Sequence, residues 1–164
     1  MQQAYSLCLF GKGTKISKYL INHDKVYEAE IKLGTKTDTA DREGKIIEER
    51  GVEKESLCEA NIKKVLRQFI GKQEQIPPMY SAIKVNGRKL YEYARKGESV
   101  DIKSRQIEIY DLKLNYINEE ENTIGITASV SKGTYIRTLC EDIANALKTV
   151  GYMNKLNRIK VRRI

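Results

Sequence analysis

The sequence predicts an α+β fold, on three observations. Residues 26–33 and 123–131 alternate apolar with polar at period two, the mark of strands with one buried face. Ile136, Leu139, Cys140, Ile143 and Leu147 recur at three and four, the stripe of a packed helix face. The two patterns meet at Lys132-Gly133, so a strand runs into a turn and a helix leaves it.

A chain of 164 residues with 40% hydrophobic content suits one domain with its own core. The net charge of +8 favours an anionic partner, and the charge is clustered. Residues 76–105 hold seven Lys or Arg against three acids, and residues 150–164 hold five against none. Three distant cysteines, Cys8, Cys58 and Cys140, and one histidine, His23, argue against a zinc site or a disulfide framework. That usage suits a reducing cytoplasm. No apolar run reaches membrane-spanning length, and no signal peptide is visible.

In chain order, Leu7, Leu9 and Phe10 read as a short strand ending at Gly11. Gly11-Lys12-Gly13-Thr14-Lys15 lacks the spacing of a phosphate-binding loop and reads as a turn. Ile16, Tyr19 and Leu20 share a face of a short helix. Along 26–33, Tyr27, Ala29, Ile31 and Leu33 point one way and Glu28, Glu30 and Lys32 the other. A loop from Gly34 to Gly44 carries Asp38, Thr39 and Asp41, which favour side-chain-to-backbone turns. Ile46 and Ile47 predict a brief strand. Ser56 and Glu59 have capping-box spacing, and the helix they open presents Cys58, Ile62, Val65, Leu66 and Phe69 and stops at Gly71.

Both prolines, Pro77-Pro78, open an irregular excursion over about 76–105. Within it Asn86-Gly87 predicts a hairpin, and residues 90–96 a short helix. Tyr80, Lys84, Arg88, Lys89, Tyr91, Tyr93, Arg95 and Lys96 interleave rings with cations. Looped RNA is gripped that way, by stacking and by phosphate contacts; an ordinary basic surface has the same composition. Strands follow over 105–116 and 123–131, with a phase slip near Asp111 that predicts a bulge. Residues 156–164 alternate enough to be a basic strand. Tyr135 and Arg137 stand at the head of the last helix, where a ring and a planar cation suit a base and an anion. Spacing alone favours the plainer reading, a core Tyr and a solvated Arg.

Taken together these stretches resemble the TruB-type tRNA pseudouridine synthases. The matching residues run in the family's order. They are Phe10-Gly11 with Thr14-Lys15, then Tyr27 with Leu33-Gly34, Thr37-Asp38-Thr39, Asp41 and Gly44. Residues 77–84 follow, with Asn86-Gly87, Leu90-Tyr91 and Tyr93-Ala94-Arg95, and then residues 132–138. The resemblance implies a mixed, mainly antiparallel sheet with flanking helices and an inserted thumb at about 76–105. It implies isomerisation of uridine 55 in the TΨC loop of tRNA, without metal or cofactor, by a cytoplasmic monomer. Tyr27 would stack on the flipped base, Tyr135 and Leu156 would wall its pocket, and Asp41 would lie close by. Arg137 would pair with the catalytic aspartate. Tyr80, Lys84, Arg88, Lys89, Tyr91, Arg95 and Lys132 would contact the RNA.

The sequence departs from the family at its front. The aspartate-bearing Gly-Thr-Leu-Asp-Pro motif would fall just before Met1, so the chain is expected to be a partial catalytic domain that binds RNA weakly without turnover. Arg137 is then expected to lack a carboxylate and to be reached by solvent or an anion, because a buried lone cation is costly. Asn157 stands where the family usually has Arg, and no appended RNA-binding domain is expected after Arg158. The alternative function is a non-catalytic RNA-binding module.

Overall fold

A computed structural model describes residues 25–159. The strand at 7–11, the turn at 11–15 and the helix at 16–20 expected from the sequence lie outside the described residues, as do residues 160–164.

Nine strands and three α-helices are described. They are β1 (Lys25–Leu33), β2 (Thr35–Thr37), β3 (Ile46–Glu49), α1 (Glu59–Gln68), β4 (Gly71–Gln75), β5 (Lys84–Val85), β6 (Arg88–Lys89), α2 (Leu90–Arg95), β7 (Arg105–Asn118), β8 (Thr123–Val130), α3 (Ile136–Ala146) and β9 (Gly151–Ile159). Five strands form one sheet in the order β4-β7-β8-β1-β9, and each ladder in it is antiparallel. The α+β, mainly antiparallel expectation therefore holds. Among the described residues the parallel contribution is a single bridge from Asp41 to Met153.

The core lies where α1 and α3 cover one face of this sheet. Ala29, Ile31 and Leu33 of β1 pack there with Ile124, Ile126, Ala128 and Val130 of β8. Ile62 and Leu66 of α1 join them, with Ile136, Leu139, Cys140 and Ile143 of α3. The period-two and period-3.6 patterns thus interlock on one surface. Gly151 lets α3 come close to the sheet: a Cβ there would lie 2.8 Å from both the Ala144 methyl and the Lys32 carbonyl oxygen. The bulge expected near Asp111 is present, as a register shift between Ile109 and Asp111.

Two expectations are corrected, and one strand is added. Ser56 and Glu59 do not cap α1; residues Lys54–Leu57 form a 3-10 turn, and Cys58 takes the N-cap, its Sγ accepting from the Asn61 amide at 3.4 Å. The loop from Gly34 to Gly44 contains a strand, β2, paired with β3. After α1 the chain enters an edge strand, β4, whose sequence Gly-Lys-Gln-Glu-Gln has no apolar alternation. A strand paired on one side only can be polar, and charge there discourages edge-to-edge pairing.

The reverse face of the sheet carries a polar cluster. The Tyr116 ring lies flat over Gly125, where a Cβ would come within 2.1 Å of it. Its hydroxyl reaches across to Glu30 at 2.5 Å, and Asn154 donates to the same carboxylate at 2.6 Å. Gly125 pairs with both Tyr116 and Glu30, so the ring spans the strand between them.

Candidate nucleic-acid interface

The loop after β2 is built by its own short polar side chains. Asp38 Oδ1 accepts from the Lys45 amide at 2.8 Å, and Thr37 Oγ1 donates to the Asp41 carbonyl at 2.6 Å. Asp41 Oδ1 accepts from the Thr39 hydroxyl at 2.7 Å and from the Glu43 amide at 3.0 Å. Gly44 is required by this crowding, since a Cβ there would stand 2.3 Å from Thr39 Oγ1 and 2.5 Å from Asp38 Oδ1. The loop is tied to β9 by Met153 donating to the Ala40 carbonyl and Arg42 donating to the Met153 carbonyl.

Arg137 joins this loop to the head of α3 and to the irregular excursion. Its Nη1 donates to the Thr39 carbonyl at 3.3 Å and stands 3.8 Å from Asp41 Oδ2. Its Nη2 donates to the Tyr80 carbonyl at 2.8 Å. The side chain is 19% exposed. The expected cation without a carboxylate is therefore corrected: Asp41 supplies one, and two carbonyls take up guanidinium donors.

Tyr135 precedes α3 and is held by Gln75 at the end of β4. Its amide donates to Gln75 Oε1 at 2.9 Å, and Gln75 Nε2 donates back to its carbonyl at 3.1 Å. Tyr27 lies two residues into β1, opposite Ala128, and packs against the helix-side core. β8 ends opposite Lys25, and its chain then leads directly to Tyr135. Tyr27 and the head of α3 thus share one end of the sheet and one face. Leu156 pairs with Ala29 and so is diagonal to Tyr27 on that face; it is 45% exposed, unusual for a large apolar side chain. The structure joins Arg137 directly to Asp41 and sets Tyr27 and Leu156 on one face of the sheet.

The excursion forms the expected hairpin, β5 and β6, with Asn86 and Gly87 both at positive φ as a two-residue type I′ turn demands. Its rings and cations are turned on one another. Arg88 stacks on Tyr93 at 4.4 Å and donates to Glu98 at 3.1 Å. Lys89 and Arg95 both lie over Tyr91, at 5.5 and 5.0 Å. Tyr93 is buried, with its hydroxyl on the Val85 carbonyl at 2.8 Å. Lys84 and Lys132 are exposed, and Tyr80 is partly buried. A cleft of about 590 Å³ opens between the excursion and the loop, lined by Asp38, Ile76, Met79, Tyr80, Ala94 and Val100 among others. It is separate from Tyr27 and Tyr135.

Two carboxyls follow Arg137 on α3. Burial raises Glu141 above the ordinary range, with Lys36 and Arg137 opposing and Asp142 adding to the rise. Burial alone raises Asp142. Among the described residues no group of three or more His, Cys, Asp and Glu could hold a metal ion. No helix among them is long and apolar enough to cross a membrane. Sequence reasoning missed Gln75, which sits in a strand without apolar alternation, and the carbonyls of Thr39 and Tyr80, which no side-chain pattern reports.

The family model described as TruB family pseudouridylate synthase (N-terminal domain) matches residues 7–136. The chain belongs to this family. Among curated relatives, it is similar to tRNA pseudouridine synthase B of Oceanobacillus iheyensis, 49% identical over 154 residues, which are 94% of this chain and 50% of that protein. It is similar also to tRNA pseudouridine synthase B of Mesoplasma florum, 46% identical over 94% of this chain and 53% of that protein. The TruB-family chain thus spans about half the length of the curated relatives it matches. Among solved structures, one of a Cbf5-Nop10-Gar1 complex matches with a TM-score of 0.55 at 24% identity, covering 83% of this chain and 30% of that one. At that identity the likeness concerns the fold.

Proposed function

We propose that this chain carries the base pocket and RNA grip of a tRNA pseudouridine synthase that isomerises uridine 55 in the TΨC loop. The observation that carries the reading is the convergence on Arg137, two residues after Tyr135, of Asp41, the Thr39 carbonyl and the Tyr80 carbonyl. An isomerase of this kind must reach a glycosidic bond inside a folded loop, so the uridine is turned out of its stack. Tyr27 offers a stacking ring, and Tyr135 and Leu156 close the sides. The N1–C1′ bond breaks, the uracil rotates, and C5 bonds to C1′. The C5 proton leaves and N1 gains one, so the product is an isomer and no oxidant is consumed.

The step needs a carboxylate facing C1′ or C6 of the nucleotide. Asp41 is a poor candidate, because one of its oxygens is held by Thr39 and Glu43 and the other faces Arg137. The 164 residues contain no Gly-Thr-Leu-Asp-Pro sequence. In this reading Arg137, fixed on three sides, aims and keeps ionised an aspartate delivered by that motif. The chain alone then binds RNA without turnover.

Tritium release from tRNA carrying 5-tritiated uridine tests the reading. No release is expected from the 164-residue chain. Release is expected when a segment bearing Gly-Thr-Leu-Asp-Pro is joined to its front. Release by the chain itself would refute the inactivity. Failure of the extended chain to release tritium, with RNA binding intact, would favour a non-catalytic RNA-binding module.

A further inference from the structure

We propose that Arg105 and Lys132 form a phosphate-binding pair at the lip of the pocket, holding the RNA backbone that flanks the extruded base. This rests on the RNA-binding reading above and adds to it a residue, Arg105, outside the ring-and-cation cluster.

Several cations of the excursion are already committed within the protein. Arg88 is taken by Tyr93 and Glu98, and Lys89 and Arg95 by Tyr91. Engaging these side chains with phosphate would first break those contacts. Arg105 and Lys132 are different. Both are exposed, and neither side chain makes a hydrogen bond, ion pair or ring contact among the described residues.

Arg105 reaches the turn that carries Lys132, although the two are 27 positions apart in the numbering. A Cβ placed on Gly133 would lie 3.9 Å from Arg105 Nη1, so the guanidinium hangs beside the turn that carries Lys132. Among the described residues neither cation has an ion-pair partner. Two cations on adjoining segments repel as they approach, and an anion bridging both relieves that repulsion. A phosphodiester fits: the guanidinium offers two parallel N–H donors, and the ammonium a compact charge.

Their position indicates which phosphate. Arg105 pairs in register with Gln75, and the Gln75 side chain holds the amide and carbonyl of Tyr135. The pair is thus tied through one residue to the proposed pocket wall. The anions nearest an extruded base are its own flanking phosphates.

The test is fluorescence anisotropy with a labelled RNA hairpin of the TΨC stem-loop sequence, using the full 164-residue chain across a salt series. The doubly substituted Arg105→Ala, Lys132→Ala protein is expected to bind about tenfold more weakly near 100 mM salt. Its plot of log affinity against log salt is expected to be shallower by about 1.4–1.8, the loss of two phosphate contacts. Arg105→Lys with Lys132→Arg keeps both charges and is expected to keep most of the slope. Melting by circular dichroism should be unchanged or slightly raised. If wild type binds and the double variant binds with the same slope, the pair is not a phosphate site while the RNA-binding reading stands. If the wild-type chain shows no salt-dependent binding, both fall.

Discussion

Arg137 Nη1 stands 3.8 Å from Asp41 Oδ2, while Asp41 Oδ1 accepts from the Thr39 hydroxyl and the Glu43 amide. One carboxylate therefore shapes a loop and steadies a cation carried by a helix 96 positions later. Asp41→Ala removes both functions and is expected to cost about 1–3 kcal/mol in urea unfolding. Asp41→Asn keeps an acceptor for the loop and is expected to melt close to wild type. In the motif-extended chain, Asp41→Asn should still lower tritium release about tenfold or more, because a loosened Arg137 no longer aims its partner.

Gly44 faces the same loop from the other side. A methyl there would overlap Thr39 Oγ1 and Asp38 Oδ1 and sit 2.9 Å from the Thr39 amide nitrogen. Backbone as well as side chain would have to shift. Gly44→Ala is expected to destabilise by about 1–3 kcal/mol, read from the urea midpoint at unchanged m-value.

The Glu30–Tyr116 bond on the reverse face sets a pH signature. Burial would raise Glu30, but hydrogen bonds from Tyr116 and Asn154 and the charges of Lys155 and Lys32 leave it below its ordinary value of 4.5. Burial first, then the bond to Glu30, push Tyr116 up to about 12. A depressed carboxyl contributes stability above its unfolded value and loses it as pH falls through the folded one. A raised phenol contributes below its unfolded value of 10.0 and loses it as pH rises to about 12. Tyr116→Phe is expected to cost about 1–3 kcal/mol near neutral pH. The gap between variant and wild type should narrow below about pH 4 and above about pH 10. Urea unfolding across pH checks it.

In the excursion, Arg88 and Lys84 separate folding from binding. Arg88 is stacked on Tyr93 and bonded to Glu98, and its Nη2 is buried without a hydrogen-bond partner. Arg88→Ala is expected to lower the melting temperature by several degrees, for a loss of about 1–2 kcal/mol. Exposed Lys84, changed to Ala, should leave melting unchanged and weaken RNA binding two- to fivefold, with a salt slope shallower by about 0.7–0.9. Paired melting and anisotropy measurements distinguish the two roles.

Periodicity made most of the frame legible. β1, β7, β8 and α3 follow from runs in which one face is apolar, because burial rewards that arrangement in either geometry. The Asn86-Gly87 turn was legible because few residue pairs accept two successive positive φ values. β4 was not, since an edge strand needs no apolar face, and neither was the Cys58 cap, since sulfur is a weak acceptor that sequence rules do not favour.

The sequence by itself determined the strand-and-helix succession, the basic character and, through its motifs, which residues are candidates. Only the tertiary structure decided how those candidates are occupied. It paired Arg137 with Asp41, turned Arg88 and Arg95 onto neighbouring rings, and brought the Arg105 guanidinium beside the turn that carries Lys132. The reason is range. Periodicity reports a residue's relation to its own strand or helix, whereas ion pairs and stacking depend on atoms that long-range folding brings within a few ångströms.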